Sequence, residues 1–157
     1  MVVKDIIKNK EQSVINSSRE AISEFQDILE QQPDAIIGDS DKYPLKHSFT
    51  DGVYIREMFI PKGYVIVGKL HKHSHPSFLL EGKVHVFTEQ EGLVELVAPL
   101  SMSSEAGTKR VVYAIEDTIW VTVHLNPTNT TDLAELEDEI IAKDFNEITE
   151  TKKEELL

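Results

Sequence analysis

A chain of 157 residues with 28 acidic against 16 basic side chains carries a formal net charge of −12, so its surface repels phosphate backbones and anionic lipid headgroups. Nucleic acid and membranes are therefore not expected partners, and no apolar run approaches the ~20 residues that a membrane-spanning helix needs. There is no cysteine, which excludes disulfides and thiolate metal sites, and the N-terminus has no continuous apolar stretch of signal-peptide length; a soluble, cytoplasmic protein is expected.

The length suits one domain with an appended helix. The first predicted element is a helix over residues 17–31, where Ser17 and Glu20 form a capping-box pattern and Ile22, Phe25 and Leu29 recur on one face beside Ala21 and Ile28. Gln31, Gln32 and Pro33 end it. Residues 34–44, with Gly38, Asp39, Ser40, Asp41 and Pro44, read as a linker.

From there to Leu125 the signal is β. Strands are predicted at Val53–Ile60, Tyr64–Leu70, Ser77–Leu80, Val84–Thr88, Leu93–Ala98, Val111–Ala114 and Thr118–Leu125, each a short apolar or alternating run bounded by turn residues. No helical crossover fits between them, which favours a sandwich or barrel over a parallel sheet. A second helix is predicted at Leu133–Ala142, capped by Asp132 with Glu135 three residues on, and with Leu133, Leu136 and Ile140 on one face. The polar, acidic tail after Asp144 is expected to fray. This gives residues 1–44 as a helical extension and linker, 45–127 as the β-barrel, and 128–157 as the C-terminal helix and tail.

The chemistry gathers on histidine. His71 and His75 lie on one face if their strand runs on, or converge across a bend if a turn intervenes. A neutral imidazole offers one lone pair at about 2.0–2.1 Å from a zinc-like ion, and a stable site takes three or four such donors. His124, which shares a strand face with Trp120 and Thr122, is the third candidate. The competing reading is an exposed polar loop at Lys72-His73-Ser74-His75-Pro76 with no metal. His85 is expected to face solvent because Val84 and Val86 face inward, and His47 lies ahead of the cluster. Alternation puts Tyr54 and Arg56 on one strand face and Glu57 on the other, with structural roles expected for all three.

The spacing of Gly63, His71, His75 and Gly82 resembles the first motif of the cupin superfamily, which reads Gly, five residues, His-x-His, three or four residues, Glu, six residues, Gly. Both glycines fit. Lys69 occupies the first histidine slot, His71 the second, and His75 the glutamate slot. The resemblance covers residues 52–125. Gly52-Val53-Tyr54-Ile55-Arg56-Glu57, Ile60-Pro61-x-Gly63, Gly68-Lys69-x-His71, Gly107-Thr108-Lys109-Arg110-Val111 and Glu116-Asp117-Thr118-x-Trp120 are similar to runs in small phage-encoded cupin-like proteins. The second motif departs from the pattern: Gly107 matches, but Pro99, Glu105 and Ala114 fill other slots, and Arg110 stands where a metal histidine belongs. A guanidinium stays protonated and cannot ligate.

The resemblance implies an all-β cupin-type β-barrel or sandwich (jelly roll), with an N-terminal and a C-terminal helix. It implies a pocket in which His71, His75 and His124 hold a divalent transition metal (Zn, Fe, Mn or Ni) and a small-molecule ligand binds. Arg110 either grips an anionic ligand bidentately or pairs with Glu105, Glu116 or Glu57. Lys69 faces the same choice between pocket cation and carboxylate partner. Three functions remain open: a metal-dependent enzyme, which would have to recruit Glu57 or Glu105 as base; a non-catalytic ligand-binding module; and a phage accessory or interaction protein whose metal site has degenerated. A homodimer paired through its sheets is expected, in the host cytoplasm if the protein is phage-encoded.

Overall fold

The computed structural model describes residues 2–38 and 45–148, with side chains from residue 12 onward. Linker residues Asp39, Ser40, Asp41 and Pro44, and the tail beyond residue 148, lie outside them.

Eleven short strands are present among the described residues: β1 Leu45–Thr50, β2 Val53–Ile60, β3 Val65–Val67, β4 Leu70–His71, β5 His75–Glu81, β6 Lys83–Thr88, β7 Gly92–Val97, β8 Leu100–Ser104, β9 Arg110–Ala114, β10 Thr118–Leu125 and β11 Ile141–Ala142. Helix α1, Val2–Glu30, precedes them, and α2, Leu133–Ile140, lies between β10 and β11. One sheet runs β1-β2-β10-β5-β8, a second β3-β9-β6-β7, and a ribbon pairs β11 with β4.

The pairings are antiparallel, so side chains of directly opposed residues share a face and alternate residues fill the space between the sheets. On the larger sheet the register sets Tyr54, Arg56 and Met58 beside His124, Thr122 and Trp120. Ser77 and Leu79 continue these rows into β5. On the smaller sheet Thr88, Val86 and Val84 oppose Arg110, Val112 and Ala114. The interior is therefore graded. Ile60, Leu79, Val84, Val86, Val112, Ala114 and Trp120 form a buried apolar core, and histidine, arginine and hydroxyl side chains occupy the other end.

Several boundaries differ from expectation. Helix α1 begins at Val2 rather than Ser17. Ser17 is interior, and its hydroxyl donates to the Val14 carbonyl at 3.0 Å instead of capping. Of the expected apolar face only Ile22 is buried, while Phe25 and Ile28 are exposed. The helix docks through Arg19, which lies 3.6 Å from the buried Glu89 carboxylate and over the Phe145 ring at 4.2 Å. The single strand expected at Tyr64–Leu70 is two. At Gly68 the backbone N–H turns to Arg110 O (2.8 Å), after which the chain leaves the sheet to pair with β11.

Strands β1 and β8 had no apolar run to announce them. Both are edges of the five-stranded sheet, where serine and threonine are tolerated. Helix α2 stops at Ile140 because Ile141 and Ala142 are claimed by β4. Asp132 caps it as expected, accepting from Ala134 N at 2.9 Å and Glu135 N at 3.3 Å, while Glu135 accepts from the Thr130 hydroxyl at 2.7 Å. Residues 145–148 form a further helical turn capped by Asp144, and Ile148 is buried with Leu70 and Ala142, so the chain stays ordered past the point where fraying was expected.

Gly82 makes the corner between β5 and β6 at φ +89°. A Cβ there would stand 2.3 Å from Asp117 O, so the second glycine of the spacing pattern is required by close backbone approach as well as by its dihedral. Among the described residues no helix is long and apolar enough to cross a membrane.

Candidate metal centre

His71, His75 and His124 come from β4, β5 and β10, and their ring nitrogens offer three donors within 4.8 Å of one another. Ring centroids are 4.3 Å apart for His71 and His75, 4.5 Å for His75 and His124, and 5.2 Å for His71 and His124. Of the two arrangements open to His71 and His75, the chain uses the bend: β4 ends at His71, residues 72–74 turn, and β5 starts at His75.

Backbone contacts pin that bend. Gly107 N–H donates to His71 O (2.9 Å), Lys72 N–H donates to Ile140 O (2.8 Å), and His71 pairs with Ile141 across the ribbon.

Burial holds the rings neutral. Burial, followed by the neighbouring His75 and His124 and then by Arg56 and Arg110, lowers the His71 pKa to about 2. Burial, His75 and Arg56 lower that of His124 to about 3. Burial also lowers His75, helped by Arg110 and opposed by the hydrogen bond to His73. That bond runs from His75 Nδ1 to the His73 carbonyl at 3.2 Å; because a carbonyl only accepts, Nδ1 bears the proton and the Nε2 lone pair is left for a ligand. His124 Nε2 engages the Thr122 hydroxyl at 3.0 Å. His71 Nδ1 is buried with no hydrogen-bond partner, an orphaned polar atom of the kind a metal ion satisfies.

Three neutral imidazoles fit a borderline-soft divalent transition metal. Small ring rotations would bring donors within 4.8 Å to the ~3.4 Å spacing of nitrogens on a tetrahedral ion.

The remaining histidines lie elsewhere. His73 is exposed. His85 is on the outer face, 3.2 Å from Glu95. His47 Nδ1 lies 2.8 Å from the Tyr54 hydroxyl, and Tyr54 in turn stacks on His124 at 5.9 Å. Tyr54 thus buttresses the cluster, a contact that strand alternation alone could not reveal.

Lys69 is paired with Glu137 of α2 at the surface. Arg110 projects inward from β9 beside buried Val112. The carboxylates that act on it are Glu91 and Glu89, not Glu105, Glu116 or Glu57, and burial lowers its pKa. Glu57 faces outward, 3.6 Å from Lys46. Arg56 points inward with Tyr54, as the alternation predicted. A cleft of about 230 Å³ lined by Ser74, His75, Pro76, Met102 and Ser103 opens beside the triad.

No protein-family model matches the chain, and no curated protein matches it by sequence. Solved structures do. Ectoine synthase from P. lautus is 15% identical with a TM-score of 0.51, the match covering 71% of this chain and 82% of that one. A cupin superfamily protein from Desulfitobacterium hafniense is 12% identical over 58% of this chain and 84% of that one, with a TM-score of 0.46. An RmlC-like cupin with a double-stranded β-helix fold from Methanocaldococcus jannaschii is 13% identical over 59% and 89%, with a TM-score of 0.46. At these identities the likeness concerns fold alone, and the antiparallel β portion fits a jelly roll.

Proposed function

We propose that this protein holds a divalent transition metal ion on His71, His75 and His124 and binds a small anionic ligand beside it. The single observation that carries this reading is the convergence of three neutral, buried imidazoles from three separate strands, one of them with an unsatisfied ring nitrogen. When bound, such an ion supplies Lewis-acid polarisation of a ligand oxygen. The chain's own residues do the rest: the His73 carbonyl and Thr122 orient two of the rings, Tyr54 backs His124, and Arg110 attracts anionic charge. Lys69 is left out of the ligand site because its ammonium is taken by Glu137.

A binding protein rather than a turnover enzyme is the reading we favour. Neither Glu57 nor Glu105, the carboxylates that the sequence offered as a base, supports catalysis: Glu57 faces outward and Glu105 is exposed. The runs similar to phage-encoded cupin-like proteins support an accessory role in an infected host cell.

The outer face of the five-stranded sheet supports a homodimer. Phe59, Leu80 and Leu125 stand exposed there at 48, 49 and 82%, in rows with Ile119, Phe78 and Ile55.

Elemental analysis of the purified protein, against a His71→Ala/His75→Ala double variant, tests the metal. Wild type should carry close to one ion per chain, or take up Zn, Fe, Mn or Ni with a rise in melting temperature, stabilisation at a hundredfold excess over Kd being about 2.7 kcal/mol. The double variant should do neither. Wild type with no metal and no thermal response removes the proposal, and a His124→Ala variant with unchanged affinity removes the third ligand.

A further inference from the structure

Two guanidiniums enter the histidine end of the barrel from opposing sheets. Arg56 stands in the inner row of β2, directly opposite Thr122, whose hydroxyl touches His124. Arg110 stands in the inner row of β9, opposite Thr88. Both are half-buried, and among the described residues neither guanidinium makes a hydrogen bond or an ion pair.

Glu91 and Glu89 act on Arg110, yet among the described residues no carboxylate forms an ion pair with either guanidinium. Glu57 turns outward to Lys46, Glu89 lies 3.6 Å from Arg19, Glu137 takes Lys69, and Glu147 takes Lys72. The inner rows from Tyr54 to Ile60, His75 to Leu79, Arg110 to Ala114 and Thr118 to His124 contain no Asp or Glu. Withdrawing a cation from water without a partner is costly. Two such cations beside three neutral imidazoles leave the inner rows at the histidine end with positive charge and no carboxylate, and a divalent ion would add to that charge.

We infer that Arg56 and Arg110 form a two-cation clamp on two sides of the histidine triad, and that the ligand is a small dicarboxylate. The planar fork of each guanidinium matches one carboxylate with two parallel hydrogen bonds. The two forks are rooted in sheets whose backbones stand about 10 Å apart. They approach the histidine end from different sheets, which suits an anion charged at both ends better than a compact one. Their electrostatic reach agrees with this placement: the Arg56 charge acts on His71 and His124, and the Arg110 charge on His71 and His75. The clamp rests on the pocket reading above but does not depend on the metal.

The test is calorimetric titration of the full chain, metal-free and zinc-loaded, with malonate, succinate, acetate, neutral malonamide and inorganic phosphate at constant ionic strength. Wild type should bind malonate or succinate about tenfold or more tighter than acetate, and malonamide not at all. Arg56→Gln and Arg110→Gln should each lose about tenfold to a hundredfold in dicarboxylate affinity while their zinc content stays that of wild type. Arg56→Lys and Arg110→Lys should recover part of it. Equal binding of malonate and acetate by wild type overturns the clamp whether or not the variants fold. So does phosphate binding that matches malonate and survives loss of either arginine. A protein that takes no zinc yet keeps the dicarboxylate preference upholds the clamp and refutes only the metal.

Discussion

Imidazoles held neutral by burial make folding sensitive to acid. The folded-state pKa values of His71 and His124, about 2 and about 3, lie below the 6.5 of the unfolded chain. Between these limits the unfolded chain binds more protons, so each ring's contribution is present above pH 6.5 and is lost as the pH falls. For the metal-free protein, urea denaturation at pH 7.5 and 5.5 should show a stability loss of about 1–3 kcal/mol, with a slope approaching 1.4 kcal/mol per pH unit for each ring. An unchanged midpoint would mean that the rings are hydrated. Adding metal should shift the loss to lower pH, because the ion competes with protons for the same lone pairs.

At this scale the triad was legible. The motif-like interval between His71 and His75 and the strand face that His124 shares with Trp120 and Thr122 pointed to it, although the bend that brings the first two together has no period of its own. The roles of Arg56 and Lys69 were not, because whether a cation has a counter-ion is settled by residues far along the chain. Glu137 lies 68 positions from Lys69, and no period connects them.

Among the elements, strands with apolar alternation were found close to their true bounds, whereas β1 and β8, lacking such runs, were overlooked. Helix α1 was recognised only over its C-terminal half, the capping-box pattern at Ser17 being a coincidence of residue types inside a longer helix. Its docking rests on a charge pair. Arg19 Nε and Glu89 Oε1 are 3.6 Å apart, close enough to attract but too far for a hydrogen bond, and Glu89 Oε2 is buried without a partner.

Removing Arg19 should therefore harm the protein through the carboxylate left behind. Arg19→Met is expected to destabilise by about 1–3 kcal/mol in chemical denaturation, less than a fully buried pair because Arg19 is partly exposed. Arg19→Met/Glu89→Gln should regain part of that loss. A double variant no more stable than the single one would assign the loss to the contact of Arg19 with Phe145.

For the molecule as a whole, the exposed apolar side chains Phe59, Leu80 and Leu125 on the outer face of the five-stranded sheet set the expectation for assembly. Light scattering coupled to gel filtration should give twice the chain mass for wild type, and Phe59→Asp/Leu80→Asp should halve it without disturbing metal uptake, since both side chains point away from the triad. A monomeric wild type removes the dimer. The antiparallel β architecture was readable from the sequence because strand spacing and the corner glycines are local signals. The α2–β11 closure was not, because a two-residue strand has no periodicity to detect.

That two-residue strand also sets an order of events during synthesis. His71 is clasped by Ile141, so a growing polypeptide displays its first two imidazoles and then His124 well before the clasp that seats His71 has emerged from the ribosome. Assembly of the three histidines is thus tied to completion of nearly the whole fold, and a nascent or prematurely terminated chain lacks the clasp that seats His71.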